Sequence, residues 1–444
     1  MNTTLNSSHP NRQIHRFDAH DREIFRGAVV AFVLRGIGAG LAFALNIVIA
    51  RLLGAEGAGP YFIALSVTVI GSVIVRVGLD NSLLRFVSAG VALQDWGRVR
   101  SVFRLAMGVT LASSGALALG LMVFAAPLAA QVFDRPALVG PLRYAGAAIV
   151  SFSIMSLLSE ALKGLKLIGP SMLVAGALYP LFGLVLIWPM VHLLGPDGAS
   201  ATYFVATALA AAVGWWFWRR GFVTHDTPAV FGWAELWDSC RPLWLMSVVT
   251  RAILPWAPVF LLGFWGSGDQ AGIFGAATRV ALLVSFLLVS VNTILAPKLS
   301  ELFVRDEVAT LRRLANRMTL GLCILTSPLF ALLIFQGSAV MRLFGPEFAQ
   351  GGAVLAILAV GQAVTVASGA AGQILMMTGN ERIMGDLSLG ACAVLLGLSW
   401  LLIPAYGMVG AAIANAVCMA VVNLGALLFS ARVLAGMHMP EGAT

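Results

Sequence analysis

Four arginines stand inside runs of apolar residues: Arg35, Arg76, Arg251 and Arg279. An ionised side chain at membrane depth costs at least about 2.5–3.5 kcal/mol unless it faces protein or a water-filled cavity, so each needs a physical reason. A guanidinium is planar, keeps its proton at any physiological pH and presents a fork that matches phosphate oxygens. No Asp or Glu is expected at comparable depth beside them, since Asp80 and Asp269 fall at the ends of their runs. The excess is therefore cationic. A wet cleft lined this way attracts an anionic, phosphorylated molecule, whereas one selecting organic cations needs carboxylates. The competing account is that each arginine snorkels to a headgroup or caps backbone carbonyls, and Arg76 has a further alternative in Asp80, one turn on.

Other polar residues in the apolar runs admit two accounts each. Asn46 follows Arg35 by three helical turns, so both point from one face, where the amide contacts either sugar hydroxyls or a neighbouring helix. Asn292, Gln362, Gln373, Asn415 and Asn423 read as interhelical hydrogen-bonding groups. Pro255 and Pro258 follow Arg251 by one and two turns and bend that helix where a rocking carrier needs a hinge. Gly36-x-Gly38-x-Gly40 has the spacing of a phosphate loop, but within a lipid-crossing run small residues serve close helix packing. His9, His15 and His20 lie on a polar segment with no scaffold to fix a metal ion, and Cys240, Cys323, Cys392 and Cys418 are far apart. No cofactor or metal is expected.

The elements that position these residues are transmembrane helices. Of 444 residues, 59% are hydrophobic and 11% charged, and the mean hydropathy is +0.91, outside the range of soluble globular domains. Apolar runs long enough to cross about 30 Å of hydrocarbon lie near 27–50, 61–79, 105–130, 145–162, 170–194, 201–218, 243–266, 273–297, 318–336, 353–378, 384–403 and 407–431. They are continuous rather than alternating, which excludes strands and predicts an all-α integral membrane protein of about twelve spans.

The net charge of +8 does not indicate nucleic acid, because the 28 basic side chains are spread over short connections. Twenty face one side, against four on the other: Arg51, Arg135, Arg143 and Arg342. That asymmetry places both termini in the cytoplasm. Met1 to Ile24 lacks an apolar core and a cleavage site and is read as a cytoplasmic tail. Arg98, Arg100 and Arg104, like Arg312, Arg313 and Arg317, set topology and touch anionic headgroups, or gather an anionic lipid substrate. On this frame Arg35 and Arg251 sit roughly 12 Å deep from the inner face. Arg76 lies near the inner end of its helix and Arg279 nearer the outer side.

The two halves repeat each other at an offset of about 213 residues. Ala58-Gly59-Pro60-Tyr61 matches Ala271-Gly272-Ile273-Phe274, Arg104 with Gly108 matches Arg317 with Gly321, Phe133 near Pro136 matches Phe344 near Pro346, and Gly195-x-x-Gly198-Ala199 matches Gly407-x-x-Gly410-Ala411. The expected organisation is a tail (1–24), a six-helix lobe (25–220), a basic cytoplasmic linker (221–241), a second six-helix lobe (242–432) and a tail (433–444). Six is even, so the repeat is parallel, with a substrate path between lobes.

The stretch Ala50-Arg51-Leu52-Leu53-Gly54-x-x-Gly57-x-Gly59-x-Tyr61, followed by Gly78-Leu79-Asp80-Asn81-Ser82-Leu83-Leu84-Arg85-Phe86, resembles bacterial polysaccharide transporters. These are the oligosaccharide-lipid flippases of the multidrug/oligosaccharidyl-lipid/polysaccharide exporter superfamily. The resemblance implies a V-shaped pair of lobes opening alternately to each side of the cytoplasmic membrane. The first, second, seventh and eighth helices, which carry the four arginines, would line the cleft. It also implies an anionic lipid-linked oligosaccharide as cargo, carried for O-antigen, capsule or exopolysaccharide assembly, with polysaccharide assembly proteins as partners of a monomeric carrier in membrane lipid. The N-terminal lobe departs from cation-coupled drug exporters in lacking membrane-depth carboxylates.

The substrate-binding set is then Arg35, Asn46, Arg76, Arg251 and Arg279, acting by reorientation without covalent chemistry. A peptidoglycan lipid-precursor flippase needs the same cationic cleft, and a multidrug antiporter is the alternative within the superfamily. A membrane glycosyltransferase or polymerase belongs to a different class and calls for a D-x-D motif or a large outward catalytic loop, neither of which is found.

Overall fold

The computed structural model of the chain describes residues 11–222, 232–305 and 307–436. The expectations placed on His9, on the middle of the linker and on residues 437–444 lie outside the described residues, as do the side chains of His15, His20 and Asn292. Among the described residues all regular structure is helical. The first half holds α1 (Asn11–Val75), α2 (Leu79–Ala92), α3 (Trp96–Pro127), α4 (Val139–Gly164), α5 (Ile168–Met172), α6 (Leu178–Leu194) and α7 (Gly198–Gly221). The second holds α8 (Trp233–Ser247), α9 (Leu254–Trp265), α10 (Gly268–Val304), α11 (Val308–Phe335), α12 (Gly337–Met341), α13 (Gly352–Ser368), α14 (Ala371–Met377) and α15 (Glu381–Gly436).

Among the described residues eight stretches are long and apolar enough to cross a membrane. A single crossing takes about 20 residues, and three of the stretches far exceed that: Phe32–Val75 has 44, while Ile168–Gly221 and Glu381–Leu434 have 54 each. Each of the three breaks at a glycine with positive φ, at Gly54 (68°), Gly195 (61°) and Gly407 (55°). Glycine takes up this conformation without a Cβ clash, so the chain reverses there. Gly195 and Gly407 are also the pair that the sequence matches at an offset of 212 residues.

Among the described residues three π-helical turns occur, one of which, Leu128–Val132, ends α3, while the other two lie between helical segments and re-aim the side chains around them. Of these two, Leu173–Ala177 joins α5 to α6, and Val248–Ile253 joins α8 to α9 and contains Arg251. The cause of the last is legible: Pro255 has no N–H to donate to the carbonyl of Arg251, and Pro258 none for Leu254.

Packing differs between the two ends of the bundle. At the end that the charge pattern assigns to the outside, one apolar core takes residues from both halves, including Ile49, Phe62 and Phe133 from the first and Phe274, Phe344 and Phe348 from the second. At the inner end there are separate cores. One joins α2, α3, α4 and α7 around Leu83, Phe103 and Trp218 and extends to Leu236 and Cys240 of α8. The other gathers Leu299, Leu311, Ala315 and Ile374 within the second half.

Backbone contact binds the halves at the outer end. A Cβ on Gly59 would collide with the carbonyl oxygen of Gly268, and one on Gly272 with that of Ala55. These contacts are reciprocal: Gly272 is 213 residues after Gly59, and Gly268 is 213 after Ala55. The same seam seats Gly275 against the Phe62 ring. Gly38 packs in the same fashion, since a Cβ there would meet the carbonyl of Gly176 at 2.8 Å, which accounts for it as a packing residue rather than part of a phosphate loop.

Candidate functional site

Arg279 stands on α10, eleven residues after Gly268, about 16 Å along the helix from its start. The small residues before it, Gly275, Ala276 and Ala277, are buried, and Gly275 lies close against the Phe62 ring of α1. Its guanidinium lies 4.5 Å from the centroid of Trp256, a tryptophan that Pro255 and Pro258 flank on α9. The two share a cavity of about 190 Å³ with Tyr61, Tyr179, Tyr203 and Asn46. Tyr179 and Tyr203 meet edge to face at 5.9 Å, and Phe152 lies 6.2 Å from Tyr203. The chain has five tyrosines, and three of them converge here. Among the described residues no carboxylate lines the cavity.

Asn46 donates its Nδ2 proton to the carbonyl of Ala42 at 2.6 Å, while its Oδ1 is buried without a partner. A buried acceptor left unpaired costs about 1–3 kcal/mol, so this atom is available to a hydroxyl entering the cavity. A second cavity, of about 280 Å³, runs between α1 and α10 and shares Ala42, Asn46 and Arg279 with the first. Its remaining walls are apolar apart from Ser285, and one of them, Leu282, is 41% exposed. Arg279 thus sits where an aromatic chamber meets an apolar slot.

The other cationic group is built differently. A three-residue turn joins α1 to α2, with positive φ at Val77 (48°) and Gly78 (79°). For a β-branched residue this conformation is strained. It allows close approach to α8, because a Cβ on Gly78 would come within 2.7 Å of the Cys240 carbonyl. The turn folds Asp80 back onto Arg76, whose Nε lies 2.9 Å from Oδ1 and donates to Oδ2 at 3.1 Å. Arg76 is only 4% exposed, and its Nη1 is buried without a partner. From the π-helical turn, Arg251 reaches the same carboxylate at 3.4 Å and the Asn81 amide oxygen at 3.3 Å, its side chain 46% exposed.

For Arg76 the pairing with Asp80 that the sequence offers is the account present, and the expectation that no acid lies beside the other arginines is corrected for Arg251. Asp80 is buried and serves Arg76 and Arg251 together, because the turn, not the helix end, sets its position. The structure does not bring Arg35 to Asn46: Arg35 is exposed, near exposed Phe32, Val33 and Ile37, and lines neither cavity around Arg279. The aromatic walls went unread in sequence. Tyr61 belongs to the stretch Gly57-x-Gly59-x-Tyr61, but Tyr179, Tyr203 and Trp256 lie far apart in the chain and carry no spacing signal.

At the outer end, loops of each half hold the other. Arg51 donates from Nε to the Leu343 carbonyl at 2.9 Å, the Ala55 N–H donates to Glu347 Oε2 at 2.9 Å, and Arg135 donates to the Gly266 carbonyl. Burial lowers the Arg135 pKa from its ordinary value while nearby Asp269 raises it.

Comparison with known proteins places this geometry in context. The family model for "Polysaccharide biosynthesis protein" matches residues 24–303. The capsular polysaccharide biosynthesis protein CapF of Staphylococcus aureus is 27% identical over 148 residues, 32% of this chain and 36% of CapF, so the match spans about a third of that relative. Agl15 of Haloferax volcanii, described as a probable low-salt glycan biosynthesis flippase, is 21% identical over 403 residues, 90% of this chain and 82% of the relative. Among solved structures, an inward-facing multidrug resistance MATE family transporter of the MOP superfamily superposes with a TM-score of 0.73 at 14% identity, covering 92% of this chain and 98% of that one. The lipid II flippase MurJ in an inward closed conformation gives 0.68 at 15% identity, covering 91% and 87%. The fold is that of these transporters, and the chain is a multi-pass membrane protein.

Proposed function

The chain belongs to the polysaccharide biosynthesis protein family, and from that premise we propose that it is a flippase. It moves a polyprenyl-pyrophosphate-linked oligosaccharide, a unit of O-antigen, capsule or exopolysaccharide, across the bacterial cytoplasmic membrane by alternating access. The single observation that carries this reading is Arg279, a guanidinium with no carboxylate in its cavity, at the junction of an aromatic chamber and an apolar slot. Each part of the cargo finds a matching surface there. The pyrophosphate takes the guanidinium fork. Sugar rings lie against Tyr61, Tyr179, Tyr203 and Trp256, and a hydroxyl donates to Asn46 Oδ1. The prenyl chain leaves through the slot between α1 and α10 toward lipid.

Split at Gly54, Gly195 and Gly407 and counted with α10, the apolar stretches make twelve crossings, six in lobe 25–220 and six in lobe 242–432. A shared core at the outer end and separate cores at the inner end support a cleft that admits cargo from the cytoplasm, where both termini lie. Arg35, exposed on the inner part of α1, and Arg251, half free of Asp80, meet the headgroup on entry, while Arg76 holds Asp80 in place. The carrier works as a monomer beside the polysaccharide assembly proteins, and no bond in the cargo is made or broken. A multidrug antiporter would need a carboxylate where the cavity has Arg279.

The test is a deletion strain assayed for lipid-linked oligosaccharide on the cytoplasmic face. Accumulation is expected, cleared by the wild-type chain and not by Arg279→Ala at equal expression. Clearance by Arg279→Ala removes the site assignment. Lysis with accumulated peptidoglycan precursor, in place of the oligosaccharide, changes the cargo.

A further inference from the structure

The inner end of the second half holds a cavity of about 130 Å³ that shares no residue with the two around Arg279. Exposed Arg312 and Asn316 of α11 stand at its mouth, Thr319, Ser368 and Ser430 give it polar walls, and no carboxylate lines it. The backbone beside it is irregular. Gly369, at φ 59°, separates α13 from α14, and a Cβ there would collide with the Thr319 hydroxyl. Non-helical backbone at membrane depth persists only where it is buried in protein or lines a cavity.

The first half supplies an internal control. Counting 213 residues back from Asn316 leads to Phe103. Counting back by the Gly195-to-Gly407 offset of 212 from Leu427, Ser430 and Leu434 leads to Trp215, Trp218 and Phe222. Those aromatics fill the equivalent place: Phe103 and Trp218 stack at 4.0 Å, and Trp218 and Phe222 at 5.5 Å. Where the first half has an aromatic plug, the second has an amide, a hydroxyl and open space beside an arginine. Close packing is the rule in protein interiors, so a polar-walled gap kept in one repeat and plugged in the other indicates an occupant.

We infer that this cavity binds a phosphate group, supplied by the headgroup of an anionic lipid in the inner leaflet. Arg312 offers the charge-assisted fork and Asn316 an amide donor. The hydroxyls of Thr319 and Ser430, now donating to the carbonyls of Ala315 at 2.9 Å and Leu427 at 3.0 Å, add donors on turning inward. The flanking Arg313 and Arg317, both exposed on α11, hold anionic headgroups near the mouth. The site is independent of the transport reading, since none of its residues contributes to the chamber around Arg279.

Native mass spectrometry of the purified full chain tests it, with phosphatidylglycerol, phosphatidylcholine and inorganic phosphate offered separately. Wild type is expected to retain phosphatidylglycerol over phosphatidylcholine. Arg312→Gln should weaken that retention by about tenfold, the loss of one charge-assisted hydrogen bond. Asn316→Phe with Ser430→Trp, which imports the first half's plug, should abolish it, and Arg279→Ala should leave it intact. Binding of inorganic phosphate alone, lost in Arg312→Gln, supports the phosphate chemistry and makes a free anion the source. Equal retention by wild type and Arg312→Gln overturns the proposal, whether or not the plugged variant folds.

Discussion

Arg279 and Arg251 are the same side chain on neighbouring helical segments, yet the first faces three tyrosines and a tryptophan and the second a carboxylate. Around Asp80 two guanidiniums share one negative charge, Arg76 buried beside it and Arg251 more loosely placed. That arrangement answers a structural need, because a buried cation without a partner is strongly unfavourable. Around Arg279 the need is met only by the ring face of Trp256 and by the cavity itself. A cation–π contact contributes about 0.5–2 kcal/mol, well short of a full counter-charge. The difference teaches that a charge inside a membrane protein is informative by what it lacks: Arg76 is accounted for by its neighbour, and Arg279, on the proposed function, by the anion that enters its cavity.

This contrast makes quantitative demands. The largest concerns Asp80→Asn, which leaves Arg76 buried with no counter-charge and should cost about 3–5 kcal/mol of stability, read as a lowered melting temperature of the purified protein in detergent. Next, Arg279→Ala should cut binding of a polyprenyl pyrophosphate by about 10–100-fold, one or two charge-assisted hydrogen bonds, with melting almost unchanged. Arg279→Lys, which keeps the charge but not the fork, should fall between. If Arg279→Ala melts the protein as badly as Asp80→Asn, the two regions are alike and the comparison fails. A smaller effect is expected of Asn46→Ala, about 1 kcal/mol in binding of the glycosylated lipid and none for the unglycosylated pyrophosphate. Smallest is Arg35→Ala, within about 0.5 kcal/mol of wild type in stability because the side chain is exposed.

The all-helical membrane class was legible because crossing a bilayer demands long apolar runs, and the separation between runs 27–50 and 61–79 falls where Gly54 bends α1. Run 353–378 is one segment in hydropathy but two helices in space, since the break depends on the φ of Gly369, which hydropathy does not register. In the site, Arg279 and Asn46 were found because a polar group in an apolar run is conspicuous. Asp80 was placed at a helix end and one turn from Arg76, which is where the chain puts it, but its approach to Arg251 of the second half has no sequence signature. The tyrosines were invisible for another reason. Tyrosine is common at membrane depth and at interfaces, and only the folding together of α1, α6 and α7 makes three of them one wall.

The glycine seam at the outer end has a mechanical corollary. Backbone pressed on backbone at Gly59 and Gly272 leaves no side chains to slide past one another, so the joint resists translation and yields only in angle. On the proposed alternating access it would serve as a fulcrum with unequal arms: α10 extends 37 residues from Gly268, a beam of about 55 Å whose far tip would swing about 10 Å for a tilt of about 10°. A Cβ placed on Gly272 would, on that reading, act on the amplitude of the swing while lying about 10 Å along α10 from Arg279.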